Sequence, residues 1–129
     1  MFDFENLRLS WKPNQFLMAP AGLCRHARPH TLSPTFDVPV ARLREAFMAV
    51  VGRQPRTEIT DESEKSVTLI QRSKTFRFPD IIDVRFVALD PGRATFGVYS
   101  RARYGIRDFG VNRARIRDWL GQLHDELAD

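Results

Sequence analysis

The sequence predicts a single α+β domain: a two-layer sandwich in which a four-stranded antiparallel meander carries two helices on one face, in the order α-β-β-β-β-α. Three observations lead there. Two segments with a helical apolar period flank the central third of the chain, that third is rich in β-branched and aromatic residues broken by turn sequences, and the connections between its strands are too short for parallel crossovers. A length of 129 residues suits one domain, which can bury about two-thirds of its extended surface without a covalent staple. Ten Phe argue against disorder, and the single Cys rules out an internal disulfide framework.

Residues 1–36 read as an irregular N-terminal wrap on the core of residues 37–129. Pro13, Pro20, Pro29 and Pro34 punctuate them, Leu7, Leu9 and Trp11 alternate as a short edge strand would, and Phe16, Leu17 and Met18 form an apolar knot. A segment this apolar must cover something. The first helix follows, with Asp37 as a cap and Pro39 in the first turn. Val40, Leu43, Phe47, Val50 and Val51 share one face, and Gly52 ends it. The strands are expected over 56–60, 66–76, 81–89 and 93–103, separated by the polar run 61–64, by Phe78-Pro79-Asp80 and by Asp90-Pro91-Gly92. Ile82, Val84, Phe86, Phe96 and Val98 would face the helices. Asp83, Arg85, Thr95, Tyr99 and Arg101 would form the opposite, polar face, with Arg72 and Lys74 able to join it. In the last helix, about 111–127, Ile116, Trp119, Leu120, Leu123 and Leu127 follow the clearest period in the chain.

Net charge is +4, from 20 basic and 16 acidic residues, so bulk charge says little about partners; distribution says more. Of the basic residues 17 are Arg, and seven of these crowd the last third. Arg suits planar recognition of carboxylate or phosphate. In Gly105–Arg117, GIRDFGVNRARIR, Asp108 or Asn112 can cap the helix while Arg113, Arg115 and Arg117 load its first turns against the helix dipole. Free amides beside guanidinium groups make an anion site, and Gly105 and Gly110 would let backbone approach a ligand. The competing reading pairs these Arg with Asp108, Asp118 or Asp83. The glycine spacing is neither a dinucleotide fingerprint nor a P-loop.

From Phe78 onward the chain resembles DUF1499, a bacterial and plastid family of unknown function, through FPDIIDVRF (78–86), YSRARYG (99–105) and DFGVNRARI (108–116). PNQFLMAP and the Asp37-Val38-Pro39 helix entry resemble its proteobacterial branch. The family pattern falls on Phe78, Pro79, Asp80, Ser100, Arg101, Gly105, Asp108, Gly110, Asn112 and Arg113. The resemblance implies relatedness but no activity. Many relatives carry a signal or membrane anchor; here the N-terminus shows neither, no stretch is long and apolar enough to span a membrane, and a cytoplasmic location is expected.

Cys24, His26 and His30 have metal-ligand chemistry, but Arg25 and Arg28 interleave and raise the cost of a cation; no metal or cofactor is assigned. Ser100 lacks a neighbouring His base, so hydrolase chemistry is unsupported, and acidic residues dilute the C-terminal field against nucleic acid. The expected function is a non-catalytic module binding a small anionic ligand or a protein partner. In its site Arg101 and Arg113 supply charge, Ser100 and Asn112 supply neutral hydrogen bonds, Asp108 orients Arg113 or caps the helix, and Gly105 and Gly110 shape the loop. The alternative is an enzyme acting on an anionic substrate with Asp80, Asp83 or Asp108 as acid or base.

Overall fold

The computed structural model describes residues 1–128. The elements are β1 (Gln15–Ala19), β2 (Thr31–Leu32), α1 (Val40–Gly52), β3 (Thr57–Glu62), β4 (Ser66–Arg72), β5 (Pro79–Asp90), β6 (Arg93–Ala102) and α2 (Val111–Leu127). Strands β3 to β6 form the expected meander, but the sheet does not stop there. Its order is β2-β1-β6-β5-β4-β3: β1 lies antiparallel along the free edge of β6, and β2 pairs parallel with β1. The four-stranded antiparallel prediction is thus corrected to a six-stranded mixed sheet; the α+β class stands.

The physical reason is that β1 is buried on both faces. Phe16 and Met18 join the core beneath the helices, while Leu17 and Ala19 join a second cluster on the other side of the sheet. A strand buried twice has no period-2 signal, so Phe16-Leu17-Met18 reads as a knot rather than a strand. The alternating Leu7, Leu9 and Trp11 are not a strand; Leu7 and Leu9 pack on the second cluster, and Trp11 is exposed.

Both helices cover one face. Leu43, Phe47 and Val50 of α1 and Ile116, Trp119 and Leu123 of α2 close over Leu69, Ile82, Val84, Phe96 and Val98, with Phe47 meeting Phe86, Phe96 and Trp119 edge-on. Pro39, not Asp37, is the N-cap of α1: its carbonyl accepts the Arg42 and Leu43 amides.

The other face was expected to be a polar surface. It is instead the floor of the N-terminal segment. Phe4 is fully buried against Gly97, where a side-chain carbon would come within 2.7 Å of Leu23 and 3.4 Å of Phe4. Glycine leaves the space that the ring fills. Arg85 holds the segment, donating 2.8 Å to the Phe2 carbonyl, pairing with Glu5 at 3.2 Å and lying over the Phe4 ring. Burial of Asp83 is matched by Arg101 at 2.6 Å and by the Thr68 hydroxyl.

Candidate functional site

The β-meander and the start of α2 enclose a cleft of about 560 Å³. Its walls are the connection between α1 and β3, the end of β4, the connection after it, the start of β5, the end of β6 with the connection after it, and the first turns of α2. This is the region where the sequence places the site, but the side chains are distributed differently.

The floor is built on Arg115. Its guanidinium donates to Gln71 Oε1 (2.6 Å), Ser100 Oγ (3.0 Å), Asn112 Oδ1 (2.7 Å) and Asp80 Oδ2 (2.8 Å). Ser100 and Asn112 are fully buried and bonded to each other at 2.5 Å. Asn112 Nδ2 donates to the Asn14 carbonyl and to Asp108 Oδ2, and Asn14 Nδ2 donates to the Gly105 carbonyl. One polar network therefore ties β4, β5, β6, α2, the residue before β1 and the loop after β6. Burial pushes the Asp80 carboxyl above its ordinary value; Arg115 opposes that shift and Asp108 adds to it.

Asp108 answers the question of the helix start. Its carboxylate accepts the amides of Gly110 (2.9 Å) and Asn112 (3.2 Å), and its carbonyl accepts Val111 N–H (3.1 Å). The anion at the positive end of α2 is thus the protein's own carboxylate, acting from two residues before the N-cap Gly110. Gly105 and Gly110 are both left-handed, with φ of 85° and 83°, the conformation that glycine tolerates.

The seven predicted residues do not share one surface. Ser100, Asn112, Asp108, Gly105 and Gly110 belong to the network and the loop beside the cleft. Arg101, one residue from Ser100, projects from the opposite face of the sheet. There it pairs with Asp83 and lies 5.1 Å from the Phe2 ring centroid and 4.7 Å from that of Tyr99. Period-2 alternation makes that separation unavoidable. Arg113 is on the other flank of α2, lining a second groove of about 470 Å³ with Phe16, His30, Arg117 and Leu120. Asp108 therefore caps the helix and does not orient Arg113.

Sequence reading missed Arg115, Gln71 and Asn14 as members of the network. One signal was available: Asn112 precedes Ile116, Trp119 and Leu123 on the same stripe, and a polar residue on an apolar stripe needs internal partners. The pairing of Arg115 with Asp80 depends on sheet register, which places Asp80 between Gln71 and Ala102.

Above this floor the cleft is basic. Arg56, Arg72 and Arg107 line it, and among the described residues none makes an ion pair. Arg56 and Arg72 donate only to main-chain carbonyls, of Arg72 and Arg77 respectively. Of the three acids in the lining, Asp80 is held by Arg115, Asp108 by the helix start, and Asp118 accepts from Gln122.

Cleft and fold define a small α+β domain with a cationic pocket at one end of its sheet and a self-satisfied polar network beneath it. The match of residues 9–123 to the family described as protein of unknown function, DUF1499, makes the chain a member of that family. No curated protein matches it.

Proposed function

We propose that the chain is a non-catalytic binding module that takes a small anionic ligand in the cleft at the start of α2. The observation that carries this reading is the charge asymmetry of the lining: three guanidiniums without carboxylate partners above acids that are already engaged. Arg is suited to fork-like recognition of phosphate or carboxylate, and the network beneath holds the walls without needing the ligand. We place the module in the cytoplasm and in the proteobacterial branch that PNQFLMAP suggests.

Thermal shift with phosphate, sulfate and citrate tests the reading. A ligand at a hundred times its Kd stabilises by about 2.7 kcal/mol, several degrees in a domain of this size. Arg107→Ala should abolish the shift, and Arg113→Ala, on the far flank of α2, should keep it. If no anion stabilises the wild type, or Arg107→Ala responds as the wild type does, the cleft is not an anion site. An enzyme reading is favoured by one observation only: Asp80 lines the cleft with a carboxyl raised by burial, as a general acid requires. Asp83 is buried against Arg101 on the other face, and Asp108 is spent on the helix start.

A further inference from the structure

We propose that the end of the domain formed by the loops over residues 73–78 and 103–110 is a docking face for an anionic lipid surface. The loops are neighbours: Arg103 N–H donates to the Pro79 carbonyl, and both line the cleft rim. They carry an unusual share of the chain's exposed apolar side chains. Phe76, Phe78, Tyr104, Ile106 and Phe109 are all at least half exposed, Phe109 at 93%. Scattered apolar residues are ordinary on a surface; five on two adjoining loops are not.

Two further observations point the same way. Lys74, Arg77, Arg103 and Arg107 interleave with these side chains, all exposed, and the loops' one acid, Asp108, has its carboxylate turned onto the amides of α2. The described non-glycine residues with left-handed φ are Arg56 (53°), Arg77 (59°) and Phe109 (53°), and every one borders this end of the sheet. A bulky aromatic in that conformation is costly, and such strain collects where function maintains it. In Phe109 it presents a ring to solvent.

Aromatic and aliphatic tips among cations match the boundary between lipid headgroups and acyl chains. Charge also decides against a second copy of this chain. A two-fold contact through this face would set Lys74, Arg77, Arg103 and Arg107 against their own copies, and like charges across an interface oppose association. The face shares Phe78 and Arg107 with the cleft, but Lys74, Phe76, Arg77 and Phe109, the residues tested below, lie outside the cleft lining, so the two readings can fail separately.

Co-sedimentation of the full chain with vesicles tests it, comparing pure phosphatidylcholine with phosphatidylcholine containing about one-third phosphatidylglycerol. The chain should bind the anionic vesicles and not the neutral ones, and high salt should release it. Phe109→Ser and the Lys74→Glu, Arg77→Glu pair should each weaken binding at least about tenfold. Phe76→Ser, at a second exposed ring, guards against a local effect at residue 109, and unchanged melting temperatures show that the variants fold. Failure to bind anionic vesicles, equal binding to neutral ones, or wild-type binding by both Phe variants overturns the proposal. So does a dimer in sedimentation velocity that Phe109→Ser dissociates, or binding to polyglutamate without binding to vesicles, the signature of an acidic protein partner. A phosphate shift in the thermal assay with no vesicle binding would leave the cleft reading intact and remove this one.

Discussion

Arg115→Ala is the substitution that most directly examines the network under the cleft. The wild-type side chain is 9% exposed, makes four hydrogen bonds and pairs with Asp80, itself 14% exposed. Truncation strands the Asp80 carboxylate and removes a donor from the buried Ser100 and Asn112. Breaking a buried ion pair from one side costs about 3–5 kcal/mol. The cleft lies alongside and can admit water, so the lower end, about 3 kcal/mol, is expected. That corresponds to a fall of roughly 10 °C in melting temperature. The assay is urea denaturation of wild type, Arg115→Ala, Asp80→Asn and the double variant. The double-mutant cycle should give a coupling of at least about 1 kcal/mol. The cost should also depend on pH. Asp80 is raised in the folded state, so folding favours its protonated form: its contribution is fully present below 3.8 and is lost as pH rises through the raised value. Without Arg115 the carboxyl rises further, and the variant should lose more stability near neutrality than in acid. A loss below about 1 kcal/mol, or additive single effects, would refute the view that Arg115 organises this end of the sheet.

Two further outcomes follow from the far face and the second groove. Gly97→Val would drive branched carbons into Leu23 and Phe4; it should free the N-terminal segment, cost about 2 kcal/mol and expose residues 1–13 to limited proteolysis, whereas proteolytic resistance equal to wild type would contradict the packing of Phe4. Burial lowers the pKa of His30 below 6.5 and outweighs the opposing hydrogen bond with the Leu17 backbone; the ring lies in the groove lined by Arg113 and Arg117. Its contribution is therefore full above 6.5 and lost as pH falls through the lowered value, so melting temperature should drop across that window, and His30→Phe should flatten the drop.

The helices and the meander were legible because each carries a period. α1 and α2 bury one stripe apiece, β4 to β6 alternate, and Asp90-Pro91-Gly92 announces its own turn. Boundaries moved where pairing, not propensity, ends a strand: β4 stops at Arg72 rather than running to Phe76, and β3 extends to Glu62 through a register shift between Ile59 and Asp61. The candidate site was legible in place and in part of its membership. Ser100, Asp108 and Asn112 do meet at the start of α2. Arg101 and Arg113 share their neighbourhood in sequence but face away, one through the sheet and one around the helix.

The α+β class, the four central strands, both helices and the crowding of Arg near the start of α2 are all written in local spacing along the chain. The extension of the sheet by β1 and β2, the cover of its second face by the N-terminal segment, and the choice of acid for each guanidinium are not. Those are outcomes of contacts between distant residues: Asp80 reaches Arg115, and Glu5 reaches Arg85, because strand register and burial bring them together. Desolvation then makes a partner obligatory for Asp80, Arg115 and Arg85, the buried members of these pairs.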